Sequence, residues 1–248
     1  MKTRIRLDQF LVDHGLFDSR TKAQAAIMAG LVFVDGQKAE KAGGNVGATA
    51  QVEVKGKPHP YVGRGGLKLE KALSEFGLDV SGRTALDVGA STGGFTDCLL
   101  QRGVKMVYAV DVGYGQLDWK LRNDPRVVVM ERTNARDLTM SSLVPRPESL
   151  DLAVIDVSFI SLSKILPAVY NLLAERADVV ALIKPQFEAG KEQVGKGGIV
   201  RDETVRQGVI DQVKAAAEAL GLKAQGLIKS PIEGADGNIE YLIWLRKG

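Results

Sequence analysis

The sequence predicts an α/β fold: a doubly wound, mostly parallel sheet that ends in an antiparallel hairpin and follows a small α+β domain. Three observations predict it. From residue 67 onward, short apolar runs alternate with helical patterns, as in sheets whose neighbouring strands run parallel. One of those runs, Ala85-Leu86-Asp87-Val88, passes straight into Gly89-Ala90-Ser91-Thr92-Gly93-Gly94 and a helix, so a glycine-rich turn stands at a strand-to-helix junction. The next run, Met106 to Val110, ends in Asp111, where a carboxylate can accept hydrogen bonds from the hydroxyls of a ribose. Together these describe a Rossmann-like domain with a nucleoside-cofactor site.

Each element has its own signal. Arg6 to Val12 places Leu7, Phe10 and Leu11 on one helical face, and Gly15 stops it. Asp18-Ser19-Arg20 caps a second helix, Thr21 to Ala29, closed by Gly30. Leu31 to Val34 is a strand ending in a tight Asp35-Gly36 turn, and Val46 to Val54 supplies further short strands. Lys55-Gly56-Lys57-Pro58-His59-Pro60 reads as a semi-rigid joint. The expected organisation is a first domain over 1–56, a linker over 57–66 and a second domain over 67–248. In the second domain a helix from Leu67 to Phe76 carries Lys68 and Lys71. The glycine turn leads into a helix from Phe95 to Arg102, and a short connecting helix runs through Trp119. Val127 to Met130 is a buried third strand, Leu150 to Asp156 a fourth and Asp178 to Ile183 a fifth. Helices are expected at Leu162 to Leu173 and Glu203 to Leu220, and Ala224 to Lys229 with Asn238 to Leu245 forms the closing hairpin.

Composition narrows the function classes. The 248 residues are 45% hydrophobic and 25% charged, ordinary for a globular protein. Apolar runs such as Ala177 to Ile183 are too short to span a bilayer, and no apolar core follows Met1-Lys2-Thr3-Arg4-Ile5-Arg6, so a cytoplasmic location is expected. The lone Cys98 excludes an internal disulfide, and with only His14 and His59 beside it no zinc site of the usual composition is expected. Net charge is a mild +3, yet basic residues outnumber acidic ones from Met1 to Lys71. That imbalance fits an RNA-binding appendage or a solvated positive face.

The turn selects among cofactors. Its spacing, Gly89-x-x-x-Gly93-Gly94, puts Ser91 and Thr92 where a dinucleotide fingerprint wants bare glycine. It better suits the carboxylate and ammonium of S-adenosylmethionine, with other nucleotide folds left open. The cofactor-binding set is Asp87, Gly89, Ser91, Thr92, Gly93, Gly94, Phe95, Thr96, Asp111, Asn134 and Asp156, with Asn134 in the stretch Glu131 to Asp137 that would bracket an adenine. Four ionisable residues fall at or beside strand tips, where open α/β sheets hold ligands: Lys68, Asp156, Lys184 and Glu240, the last placed on the final strand.

Two resemblances follow from these motifs. Arg6-Leu7-Asp8, Ser19-Arg20-x-x-Ala23 and Gly30-x-Val32-x-Val34-Asp35-Gly36 resemble the S4 RNA-binding domain. The Lys-Asp-Lys-Glu set resembles the tetrad of FtsJ-type ribose 2′-O-methyltransferases. The whole arrangement is similar to the TlyA (hemolysin A) family of ribosomal RNA cytidine 2′-O-methyltransferases. That likeness runs through Arg64-Gly65-Gly66-x-Lys68-Leu69, the glycine turn, Asp111-Val112-Gly113-Tyr114-Gly115-Gln116-Leu117, Glu131 to Arg136, Asp156-Val157-Ser158-Phe159-Ile160-Ser161-Leu162, Lys184-Pro185-Gln186-Phe187-Glu188 and Asn238-x-Glu240-Tyr241. It implies a class I methyltransferase fold, S-adenosylmethionine as cofactor and ribosomal RNA as partner. The chain ends at Arg246-Lys247-Gly248 without the C-terminal extension of some members, so one or both ribosomal subunits remain open as targets.

The residues fit that chemistry. A ribose hydroxyl attacks best as it loses its proton, and Lys184 can take it if the amine is neutral, a form favoured by a second cation, Lys68, and by partial desolvation. Asp156 would orient Lys184 and favour a sulfonium nearby, and Glu240 would hold Lys68 or the ribose. RNA contacts are expected from Arg4, Arg6, Arg20, Lys22, Arg64, Arg132, Arg136 and Lys191. Residues Tyr61 to Arg64 are expected to couple RNA docking to cofactor binding. Base methylation is disfavoured, because Asp156-Val157-Ser158-Phe159 lacks the Pro-Pro-aromatic loop of amino-methylating enzymes and Cys98 is misplaced for C5 attack. The alternatives are a non-catalytic RNA-binding or ribosome-assembly factor and, less favoured, a hemolysin.

Overall fold

The computed structural model describes residues 4–17, 19–28, 30–39, 41–47, 50–54, 59–234 and 237–248. Asp18, Ala29 and the expected joint Lys55-Gly56-Lys57-Pro58 lie outside the described residues. The chain divides into two compact units, residues 1–60 and 61–248.

In the first unit, β1 (Arg4–Arg6), α1 (Leu7–Asp13), α2 (Arg20–Met28), β2 (Val32–Val34), β3 (Gln37–Lys38), β4 (Asn45–Gly47) and β5 (Val52–Val54) follow in order. β2 is central between β3 and β5, and β1 pairs antiparallel with β4. Leu7, Phe10, Leu11, Ala23, Ile27, Val32 and Val46 form the core. Asp35 and Gly36 both take positive φ, +50° and +80°, as a two-residue hairpin turn between right-twisted strands requires. β1 was not expected, since its partner strand lies some forty residues ahead and no local pattern announces it.

Asp8 organises this unit. Its side chain is fully buried, and its carboxylate accepts from Arg6 Nε (3.0 Å) and Nη2 (2.9 Å), Arg20 Nη2 (3.0 Å), Gln24 Nε2 (2.6 Å) and its neighbour's backbone, Gln9 N (2.9 Å). The Arg6 guanidinium, with Gln24 and Arg20, holds the Asp8 carboxyl well below the ordinary carboxylate range, against the opposing effect of burial.

The second unit comprises α3 (Gly65–Glu75), β6 (Thr84–Val88), α4 (Gly94–Gln101), β7 (Met106–Val110), α5 (Trp119–Arg122), β8 (Val127–Met130), β9 (Leu152–Ile155), α6 (Leu162–Leu172), β10 (Ala177–Ile183), α7 (Pro185–Glu188), α8 (Glu203–Ala219), β11 (Leu222–Lys229) and β12 (Tyr241–Lys247). Its seven-stranded sheet has the order β11-β12-β10-β9-β6-β7-β8, parallel except where β12 inserts antiparallel between β10 and β11. One face packs on α6 and α8, the other on α3 and α4. The chain reverses its direction of travel across the sheet between β6 and β9, which opens a crevice at their C-terminal ends.

Three local expectations are corrected. The connecting helix begins at Trp119 rather than ending there, because the Asp118 carboxylate caps it by accepting from Lys120 N at 2.8 Å. β8 is an edge strand, half-buried along its length rather than buried. Glu240 precedes the last strand, which starts at Tyr241.

The lowered Asp8 acidity sets a pH window. A carboxyl that ionises more readily folded than unfolded stabilises above its unfolded pKa, and that contribution is lost as pH falls through the folded value. Amide hydrogen exchange in α1 and α2 is therefore expected to accelerate below about pH 4. Asp8→Asn should loosen the same helices at neutral pH by about 1–3 kcal/mol.

Candidate active site

The crevice is built around the turn after β6. Gly89 (φ +86°), Ser91 (φ +49°) and Gly93 (φ +95°) carry the chain through the left-handed region. A β-carbon at Gly89 would lie 2.4 Å from the Asp156 carbonyl oxygen, so glycine is what lets the exit of β9 approach. At Gly93 a β-carbon would strike Leu121 at 2.1 Å, and at Gly94 it would meet Gly63 O and Gly66 N, each at 2.9 Å. The segment before α3 is thus laid against the turn, and the buried Asp97 carboxylate accepts from Val62 N at 2.8 Å. Tyr61, expected in the linker, is buried in the core of this unit.

Asp87 and Thr96 support the turn from behind. Both are fully buried, and Thr96 Oγ1 donates to Asp87 Oδ2 at 2.6 Å. Asp87 Oδ1 is buried with no hydrogen-bond partner among the described residues. Burial pushes the Asp87 carboxyl up to about 7, opposed by the Thr96 hydroxyl and assisted by the charges of Asp156 and Asp111. Asp111, at the tip of β7, accepts from Ser91 N at 2.8 Å and Gly113 N at 2.7 Å. Beyond β8, Asn134 Oδ1 accepts from Arg136 N at 3.1 Å, and the Arg132 guanidinium stacks 4.1 Å over the Tyr114 ring.

A cavity of about 420 Å³ opens beside the turn. Gly89, Ser91, Thr92, Gly94 and Phe95 line one part, and Lys68, Asp156, Lys184 and Glu240 line the same space together with Arg64, Ser158, Phe159, Gln186 and Phe187. The four ionisable residues form two pairs. Lys68 donates to Glu240 Oε2 at 2.5 Å, with both side chains buried. Lys184 Nζ lies 2.6 Å from Asp156 Oδ1 and donates to Ser158 Oγ at 2.8 Å. Lys184 follows β10 directly and is the N-cap of α7, which Pro185 opens, and this fixes where the amine emerges. Phe159 takes φ +64°, rare for a bulky side chain, and its exposed ring meets Phe187 at 4.9 Å.

Of the expected cofactor residues, Asp87, Gly93, Thr96, Asp111 and Asn134 stand outside the cavity lining, the first three as scaffold, Asp111 just past the tip of β7 and Asn134 in the segment that follows β8. Among the expected RNA-binding cations, Arg64 lines the cavity, Arg136 and Lys191 are exposed in short 3-10 helical turns, and Arg4 and Lys22 are exposed on the first unit. Arg6 and Arg20 spend part of their donor capacity on Asp8. Sequence reasoning did not single out Ser158, Phe159, Gln186 or Phe187. Their motifs were visible, but which side chains face the cavity depends on backbone turns such as that at Phe159.

The family profile described as FtsJ-like methyltransferase matches residues 61–247, and that of the S4 domain matches residues 5–52. The chain belongs to the FtsJ-like methyltransferase family. Within that family it is 49% identical over 247 residues to the 16S/23S rRNA (cytidine-2′-O)-methyltransferase TlyA of Mycobacterium tuberculosis, covering 99% of this chain and 91% of that protein. It is 47% identical over 238 residues to Hemolysin A of Brachyspira hyodysenteriae, covering 96% and 98%. A solved structure of a SAM-dependent methyltransferase from Aquifex aeolicus shares the fold, with a TM-score of 0.51 at 19% identity over 75% of this chain and 95% of that one. This TlyA-type chain has no described helix long and apolar enough to cross a membrane.

The contact between Gly89 and Asp156 yields a direct test. Gly89→Ala combines a left-handed backbone, costing roughly 1–2 kcal/mol, with a clash against main chain that cannot rotate away. Its thermal unfolding midpoint should fall well below that of Ser91→Ala.

Proposed function

We propose that this FtsJ-like methyltransferase transfers a methyl group from S-adenosylmethionine to the 2′-oxygen of a cytidine in ribosomal RNA, in the cytoplasm, with Lys184 as general base. The observation that carries the reading is that Lys68, Asp156, Lys184 and Glu240 share one cavity with the glycine turn, as two lysine–carboxylate pairs. The 49% identity to TlyA supports the substrate class.

The residues fit S-adenosylmethionine. The turn presents backbone with few side chains in the way, which suits the amino-acid end, and Asp87 Oδ1 is a buried acceptor without a partner beneath it. Asp111 keeps lone pairs for ribose hydroxyls, and Asn134 stands on the adenine side. When bound, the cofactor supplies an electrophilic methyl group on a sulfonium.

The chain's own side chains then have separable tasks. Lys184 removes the proton of the 2′-hydroxyl as the oxygen attacks, and Asp156 steers its amine. Glu240 occupies Lys68 and fixes that cation at the cavity wall. Holding oxygen and methyl carbon in line accounts for much of the acceleration, since alignment alone can supply about 7–11 kcal/mol. The S4 domain brings Arg4, Arg6, Arg20 and Lys22 to phosphates, while Arg64, Arg132, Arg136 and Lys191 serve the strand near the cavity. The packing of Gly63 against Thr92 and Gly94 supports coupling between the Tyr61 to Arg64 segment and cofactor affinity.

Labelled cofactor and ribosomal RNA test the reading. Wild-type protein should label RNA at a ribose, and Lys184→Ala should abolish transfer while cofactor still binds by calorimetry. RNA binding without any labelling by wild-type protein would favour the non-catalytic factor instead. Replacing Arg4 by alanine should weaken RNA binding across sequences and reduce the slope of log affinity against log salt by about 1.

A further inference from the structure

We propose that Ser158 is a positioning residue for Lys184, fixing the rotation of its amine so that the nitrogen lone pair faces the substrate hydroxyl. The proposal rests on the methyl-transfer reading above. Ser158 stands two residues past Asp156, exposed on the cavity wall, and its Oγ accepts from Lys184 Nζ at 2.8 Å.

A lysine amine sits on a flexible stem and rotates freely unless its N–H bonds are claimed. Its tetrahedral nitrogen has three positions beyond the carbon Cε. Ser158 Oγ occupies one as a hydrogen-bond acceptor, and Asp156 Oδ1 lies 2.6 Å from the nitrogen as an ion-pair partner outside hydrogen-bond geometry. A neutral amine has two N–H bonds. With one of them donated to Ser158 Oγ and the nitrogen drawn to the Asp156 carboxylate, the lone pair is confined to the remaining directions, from which the proton has to be taken. Without the serine acceptor one N–H is unassigned, and the lone pair spends part of its time turned away. A hydroxyl performs this task without adding a second negative charge beside the amine.

The serine is held on both sides. Asp156 N donates to Val88 O at 2.9 Å, and the Asp156 carbonyl sits against Gly89. Val157 packs on the core, and Phe159 turns the chain through φ +64° with its ring against Phe187. Such a segment can place an oxygen with the tolerance an in-line reaction needs.

The test uses the full chain with labelled S-adenosylmethionine and ribosomal RNA. Ser158→Ala is expected to lower kcat about ten- to a hundredfold, with KM for RNA and Kd for cofactor within about twofold of wild type. Ser158→Thr, which keeps the hydroxyl, should recover most of that loss. An alanine variant as fast as wild type overturns the proposal. So does a loss confined to KM, which would make the hydroxyl an RNA contact, or a threonine variant as slow as alanine at unchanged cofactor affinity. Wild-type protein that transfers no methyl group overturns the methyl-transfer reading itself, and this proposal with it.

Discussion

The second unit depends on a close approach between two stretches of main chain. The carbonyl of Asp156 occupies the space that a β-carbon on residue 89 would need, so the exits of β6 and β9 can lie side by side only because that residue is glycine. Two walls of the cavity follow from the approach. The glycine turn and the carboxylate paired with Lys184 stand at the ends of adjacent parallel strands, and their separation is set by backbone rather than by mobile side chains. Open parallel sheets place ligands at such a switch point because loops on either side diverge there and leave a crevice.

The charges in this crevice are not accounted for by stability. Burying Lys68 and Glu240 removes two ions from water, a cost that their mutual attraction only about offsets. Asp87 shows the same cost in another form, a carboxyl raised to about 7 because burial penalises its charge. In the first unit the hub at Asp8 works differently. There the carboxylate is buried but the two arginines remain about half exposed, so cationic surface is kept while the acid knits α1 to α2.

Local signals were enough for most elements of the sheet. Alternating apolar runs, the glycine turn after Val88 and the acid after Val110 are short-range patterns, and the strands they announce are where they were expected. Misplacements occurred where a partner distant in sequence decides. β1 exists only because Ile5 lies opposite Val46, and β8 is half-buried because no strand lies beyond it. α5 starts at Trp119 because Asp118, which had no recognisable run of helix behind it, turns out to cap.

The same division holds at the site. By itself the sequence determined the elements, their order, the glycine turn and the identity of the four ionisable residues, because each is written in neighbouring residues. Tertiary structure alone decided that Lys68 pairs with Glu240 and Lys184 with Asp156, and that Ser158 reaches the second amine. The partners of the first pair stand 172 positions apart. No spacing rule connects such residues; the strand order of the sheet does, by inserting β12 between β11 and β10.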